Sequence, residues 1–396
     1  MNSIFPHSND APPYTTPQSR RKGSQFFPSS VFIIVALLCG LVACGDQNRT
    51  VKKLAQDTSS VQKLESNLTF NDVILEQANE QGQTVWKVKA KQATYSKDKK
   101  VAQVQNPSGE LFQDGKVVYQ ITAQQGEIQQ DGKRLFLKDQ IVATDPQNGV
   151  VLRGKELEWR PQEDLLIVRN QLSGTHKQVQ AVAQEARVFS RASRMELQGR
   201  VVAMTTDPHL QMRTEHLIWQ IREQKLIGDR PVQIDRYKGK AITDRATANS
   251  SEVNLKTKIA TLKQNAQLRL LDPPLQVFSN LMSWNLNTET MTANQPVRVL
   301  HSQQQLTLTA NQGRMDLQQK IVYLTGNVYG VGQRRQSLKA TQMTWYVPSK
   351  LVEAEGNVVY RQVEPPVSFT GQKAVGKLQD QTIVVSGGRV VTEIIP

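Results

Sequence analysis

Acidic and histidine side chains are the first candidates for chemistry in this 396-residue chain. Glu156, Glu158 and Asp164 lie close together, and two carboxylates at a fixed separation are what glycoside hydrolysis requires. Alternating outward residues of a soluble sheet look the same, however. His209 and His216 are seven residues apart, which places them on opposite faces of a strand. We therefore predict no catalytic set, metal site or cofactor. Two alternatives to the function predicted below stay open: an enzyme on a β scaffold, and an inert structural or adhesive repeat protein.

Cys44 is a candidate for covalent modification. The basic cluster Arg20, Arg21 and Lys22 precedes an apolar run over residues 31–43, which is short for a membrane span, and the run ends in the sequence LVAC. This pattern resembles a bacterial lipobox, in which the cysteine is acylated and becomes the first mature residue. It predicts a lipoprotein signal peptide over residues 1–43 and a flexible tether over 44–66, with an uncleaved membrane anchor as the alternative. Residues 45–396 contain no cysteine, which excludes disulfides there.

The formal net charge of the chain is +14. Positive charge on an exported protein suits anionic partners, such as membrane surfaces or acidic glycolipids, although it also serves solubility alone. No basic stripe with interleaved aromatic residues is present, so we expect no nucleic-acid partner.

An internal repeat of about 31 residues determines the predicted fold. In each copy a strand ends on a large apolar landmark, such as Trp159, Trp219 or Trp345, and a second strand begins after a short turn; a weaker tenth copy ends at Gly376. Tight hairpins pair antiparallel strands. The pattern predicts an all-β, antiparallel domain over residues 67–396, made of about ten hairpin repeats and about twenty strands, with two lobes dividing near residue 235 as an option.

Glycines recur at one level of these hairpins. If the turn is centred between Gln318 and Gln319, Met315 faces Val322 and Asn311 faces Gly326. The preceding strand breaks its alternation at the same level, which predicts a β-bulge on that strand opposite the glycine. Stacked along the sheet, these positions predict a crease that folds the sheet into a V. The crease residues are Gly199, Gly326 and Gly356.

A creased sheet without covering helices predicts an open apolar trough, which suits acyl chains. The alternative is that the same residues pack a closed core. The predicted trough residues are Leu135, Leu137, Ile141, Met195, Leu197, Val201, Val322, Leu324, Val328, Val352, Ala354 and Val358.

Residues 338–360, LKATQMTWYVPSKLVEAEGNVVY, and more weakly the whole of 67–396, resemble the OstA-type domain of the lipopolysaccharide transport proteins LptA, LptC and LptD. The resemblance implies a twisted, V-shaped β-jellyroll that is not an enzyme and that holds lipid acyl chains in the periplasm. A membrane tether before this domain most resembles LptC, although the chain has about twice the usual number of repeats and an apparent lipobox.

The partners that the resemblance implies are lipopolysaccharide or a related glycolipid, the membrane subunits of its export ABC transporter, and an LptA- or LptD-type jellyroll. The N-terminus would hold the chain on a membrane, the inner rather than the outer one. Jellyrolls would join by edge-strand pairing. The predicted edges are Leu68, Phe70, Val73 and Leu75 at the start, and Ile383, Val384, Val385, Val390 and Val391 at the end.

Overall fold

The structure is a computed structural model that describes residues 68–333, 335–377 and 382–387, and the backbone of 391–394. The predicted signal peptide, tether and Cys44 lie outside the described residues, as does the predicted edge residue Val390. Among the described residues, no helical segment has the length and hydropathy of a transmembrane span.

The described residues form 28 strands and two short 3-10 helices, and all strand pairs are antiparallel within one continuous sheet. The predicted all-β, antiparallel architecture is therefore confirmed. The strands are β1 (Thr69–Ala78), β2 (Thr84–Tyr95), β3 (Val101–Gln105), β4 (Ser108–Gln113), β5 (Lys116–Thr122), β6 (Gln125–Gln129), β7 (Leu135–Thr144), β8 (Val151–Arg160), β9 (Leu165–Thr175), β10 (Val179–Phe189), β11 (Arg194–Thr205), β12 (Leu210–Gln220), β13 (Lys225–Gly228), β14 (Val232–Lys238), β15 (Ala241–Ala248), β16 (Ser250–Asn254), β17 (Ile259–Leu270), β18 (Leu275–Asn285), β19 (Thr290–Ala293), β20 (Val297–His301), β21 (Leu306–Ala310), β22 (Gln312–Asp316), β23 (Ile321–Val331), β24 (Ser337–Tyr346), β25 (Leu351–Gln362), β26 (Val367–Lys377), β27 (Thr382–Ser386) and β28 (Val391–Ile394), with 3-10 helices at Pro161–Glu163 and Ser302–Gln304.

Each long strand belongs to two walls of the folded sheet. The N-terminal part of β2 pairs with β4, whereas its C-terminal part pairs with β3. The first wall contains β4, β5, β14, β15, β20, β21 and β28, and the second contains β3, β6, β13, β16, β19, β22 and β27; the long strands cross from one wall to the other. The strand count exceeds the predicted twenty because several passes are divided where they cross.

The hairpin register follows the sequence prediction. Met315 pairs with Val322, Gly313 pairs with Leu324, and the backbone N–H of Asn311 donates to the carbonyl of Gly326. Turn length and alternation therefore fix the register locally, because a one-residue slip would turn every buried side chain outward.

Apolar side chains from both walls pack against one another in the interior. A single cluster of buried residues runs from Val85 to Val352, and a small second cluster follows around Ala354 and Ala374. Strand pairing runs across residue 235, since β12 pairs with both β13 and β14. The optional division into two lobes stays a prediction.

Candidate functional site

The predicted trough residues all lie in the closed interior. None of the twelve is more than 7% exposed, and most are fully buried. The expectation of an uncovered trough is corrected here, because the two walls bury these side chains against each other and no covering helix is needed. Their contact with acyl chains stays a prediction, and it now requires the walls to separate or to leave a gap.

The three predicted glycines lie where the strands cross between walls. Their φ angles are +78° for Gly199 and Gly326 and +80° for Gly356, and the next residue in each strand also has positive φ. In β11, Gly199 and Arg200 together oppose the single residue Glu215 of β12. Against the preceding strand β10, residues 199–201 lie opposite only residues 183 and 184. The prediction that the extra residue lies on the preceding strand is therefore wrong: the bulge lies on the glycine strand, because glycine adopts left-handed backbone most readily.

Further crossings have the same backbone form without glycine. The pairs Asp139–Gln140, Asn170–Gln171 and Gln264–Asn265 have positive φ at both residues. Sequence reasoning missed these positions. Asp and Asn tolerate left-handed backbone better than most residues, and this was the available signal in each pair.

A valine at position 356 should strain this crossing. A Cβ there would lie 2.7 Å from Thr341 Oγ1 and 2.8 Å from Thr341 Cβ, and the left-handed backbone disfavours any branched side chain. We expect Gly356→Val to lower the free energy of unfolding by about 2 kcal/mol or more, from the sum of backbone and overpacking costs. Denaturant unfolding measures this loss. Gly356→Asn is the matched control and should lose less, and equal losses would contradict a role for the left-handed backbone.

An apolar cavity of about 100 Å³ lies at the C-terminal end of the interior. Trp345 is fully buried one repeat earlier, and Val352 pairs with Trp345 on one side and with Gly376 on the other. The last repeat thus has glycine where earlier repeats have a large side chain, which leaves unfilled volume. The apolar lining includes Leu306, Leu308, Leu338, Met343, Val352 and Ile383.

The lining of this cavity is mainly apolar and the cavity is partly open to solvent, so it is suited to an apolar guest. The weak tenth copy at Gly376 is the corresponding signal in the sequence, although no cavity was predicted from it. Of the twelve predicted trough residues, only Val352 lines the cavity.

Of the three carboxylates considered for catalysis, Glu158 is held in ion pairs, and Asp164 accepts a hydrogen bond from the backbone N–H of Arg191 at 2.9 Å. Glu158 accepts hydrogen bonds from Arg160 Nε at 2.7 Å and from Arg169 Nη1 at 3.1 Å. Burial alone would raise the pKa of Glu158, but these hydrogen bonds outweigh it and the pKa is lowered. His216 contacts Asp229, whereas His209 stacks on Tyr237. Glu158, Asp164, His209 and His216 therefore each have a structural partner.

Two other histidines pack against interior tryptophans. The ring of His176 lies 5.0 Å from that of Trp219, and the ring of His301 lies 5.6 Å from that of Trp345. Burial lowers the pKa of both histidines, and a nearby lysine lowers it further in each case. Both are therefore held in the neutral form.

Stability should consequently fall on mild acidification. The unfolded chain binds these protons more readily, so the contribution of His176 and His301 is fully present above about pH 6.5 and is lost as the pH falls through the lower folded-state values. We expect the unfolding midpoint of the wild type to fall more than that of the double variant His176→Gln/His301→Gln between about pH 7.5 and pH 5.5. Parallel curves for the two proteins would contradict this assignment.

Comparison with known proteins gives the family. The model of the family described as "Lipopolysaccharide-assembly, LptC-related" matches residues 32–166 and 152–272, together more than half of the chain. The chain belongs to the LptC-related family. It is therefore a β-jellyroll component of lipopolysaccharide transport, and the family is periplasmic.

Similarity to solved structures is distant. LptH of Pseudomonas aeruginosa, described as the LptA-homologous periplasmic component of the lipopolysaccharide transport device, is 16% identical, and the match covers 39% of this chain and 95% of that one with a TM-score of 0.25. A comparison with curated proteins finds no match.

Proposed function

We propose that this LptC-related protein is a membrane-tethered, non-enzymatic carrier that holds the acyl chains of lipopolysaccharide or a related glycolipid between its two walls. The apolar cavity beside Gly376 is the observation that carries the proposal. Burial of each methylene group contributes about 0.8 kcal/mol, so an acyl chain needs no polar contact to bind in such an interior.

The strands at the two ends of the sheet are suited to pairing with other proteins of a lipid transport system. Among the described strands, β1 pairs only with β2, and β27 and β28 pair only with β26. Phe70 and Ile74 on β1 and Val384 on β27 are each about half exposed or more. Unpaired edges with apolar side chains recruit strands of another sheet. We infer that one edge meets the export ABC transporter and the other an LptA- or LptD-type jellyroll.

The anchor belongs to the same proposal. Acylation of Cys44, or retention of the apolar run before it, would hold the domain at a membrane, and the inner membrane suits a protein that receives lipid from a transporter. The closed packing of most of the interior favours a second candidate, an inert β-repeat scaffold, which would bind no lipid.

Co-purification tests the proposal. The tagged full-length chain should recover both the transporter's membrane subunits and lipopolysaccharide from cells, whereas the variant Gly376→Leu, with its cavity filled, should recover the subunits with less lipid. Recovery of neither from the wild-type chain would favour the scaffold.

A further inference from the structure

The loops opposite the crease form a mouth, in which the first wall meets the second. First-wall loops lie around residues 114, 177, 207, 239, 272 and 303, and second-wall loops around 162, 192, 222, 257, 288 and 319. Four ion pairs join the two rows. They are Asp114–Arg191 at 2.8 Å, Asp207–Lys258 at 2.9 Å, Lys238–Glu289 at 3.0 Å and Asp272–Lys320 at 3.9 Å.

Aromatic contacts join the two walls at the strand ends beside these loops. His176 contacts Trp219, and His301 contacts Trp345. Tyr119 lies 6.4 Å from Trp159 between ring centroids, and the Arg236 guanidinium lies 5.4 Å from the Trp284 ring. The four ion pairs join loops or the strand ends beside them, whereas the aromatic contacts mostly join strand ends. The mouth is therefore closed by contacts that recur along the sheet over the apolar interior.

The ion pairs are a weak part of this closure. The carboxylates of Asp114, Asp207 and Asp272 are 61%, 76% and 97% exposed. Solvent and salt screen such pairs, so they contribute little to stability. Their cations nevertheless lie at the border between the apolar interior and solvent, which is where the headgroup of an amphiphile lies when its acyl chain is inside.

We propose that the mouth is a binding site for the anionic headgroup of the amphiphile and opens by exchange of ion pairs. The three cations lie on loops four strands apart, so each is a separate position along the mouth. At each position phosphate oxygens replace the carboxylate: that of Asp114 at Arg191, of Asp207 at Lys258, and of Asp272 at Lys320. The walls then separate beside the bound headgroup while the acyl chain enters. This inference rests on the proposed function, and it adds the charge that the site recognises and the side from which lipid enters.

Two triple variants test the exchange, because both remove the same three ion pairs. One is Asp114→Asn/Asp207→Asn/Asp272→Asn, which releases the cations; the other is Arg191→Gln/Lys258→Gln/Lys320→Gln, which removes them. The probes are palmitoyl lysophosphatidate and monopalmitoylglycerol, which share the acyl chain and differ in the phosphate. Equilibrium binding to the full-length chain is measured, with circular dichroism to verify the fold of each variant.

We expect the carboxylate variant to bind lysophosphatidate several-fold more tightly than the wild type and the cation variant several-fold more weakly, with monopalmitoylglycerol affinity unchanged in both. Lys225→Gln/Glu252→Gln removes an ion pair on the outer face of the second wall, 3.2 Å long, and should change neither affinity. Shifts of both triple variants in the same direction, or no shift, would overturn the exchange. If the wild type binds both probes and the triple variants bind them with the same affinities as the wild type, the carrier function stands without the exchange. If the wild type binds neither probe, both proposals fall.

Discussion

Gly376→Leu should sharply reduce lipid binding while leaving the sheet folded. Gly376 has an ordinary φ and lines the apolar cavity, so a leucine side chain projects into the unfilled volume. A Cβ at this position would lie 3.2 Å from the carbonyl oxygen of Thr382 and 3.7 Å from Ile383, which requires only a small adjustment. We expect several-fold weaker binding of monopalmitoylglycerol, with an unfolding free energy within about 1.5 kcal/mol of the wild type, the range typical of tolerated apolar replacements.

The neighbouring residue provides the control. Val375 is 44% exposed on the outer face of the same strand, and Val375→Leu also enlarges an apolar side chain. Binding should be unchanged in this variant. Equal binding by Gly376→Leu and the wild type would show that the acyl chain occupies some other part of the interior.

Asp244→Ala should cause the largest loss of stability of any single substitution considered. The side chains of Arg236 and Asp244 are 8% and 5% exposed, and Arg236 Nη2 lies 2.5 Å from Asp244 Oδ2. Glu289 lies 3.4 Å from Arg236 and compensates its charge only in part. Removal of one partner leaves a buried charge, so we expect a loss of about 3–5 kcal/mol in the free energy of unfolding, measured by denaturant titration.

Replacement of both partners separates the cost of an unpaired charge from the loss of packing. Arg236→Met/Asp244→Leu keeps volume in the interior and removes both charges, and such replacements of buried pairs are often neutral or stabilising. We expect this double variant to recover most of the loss. A double variant as unstable as Asp244→Ala would show that the site depends on the ion pair itself.

Local features of the fold could be predicted from the sequence because they depend on short-range patterns. Alternation and turn residues determine the hairpin that pairs Met315 with Val322, and the recurrence of that hairpin predicts an antiparallel sheet. The left-handed glycines were located for the same reason, although the strand that carries the extra residue was not.

Features that join distant residues could not be predicted in this way. The walls meet through contacts such as His176 with Trp219 and Asp207 with Lys258. The residues of each pair are about one and a half repeats apart in the sequence, whereas hairpin patterns relate only neighbouring strands. Arg236 and Asp244 alternate with apolar residues along β14 and β15, but their inward direction follows only from the observed register. The cavity depends on the absence of a side chain at Gly376, and an absence is recognised only when its neighbours are known.

Photocrosslinking at two adjacent residues of β24 tests directly whether the interior holds lipid. Leu338 lines the cavity and Lys339 is exposed on the opposite face, so a photoreactive residue at either position samples one side of the same strand. We expect lipopolysaccharide in living cells to be labelled from position 338 and only weakly from position 339. Equal labelling from the two positions, or none from 338, would contradict a lipid-holding interior.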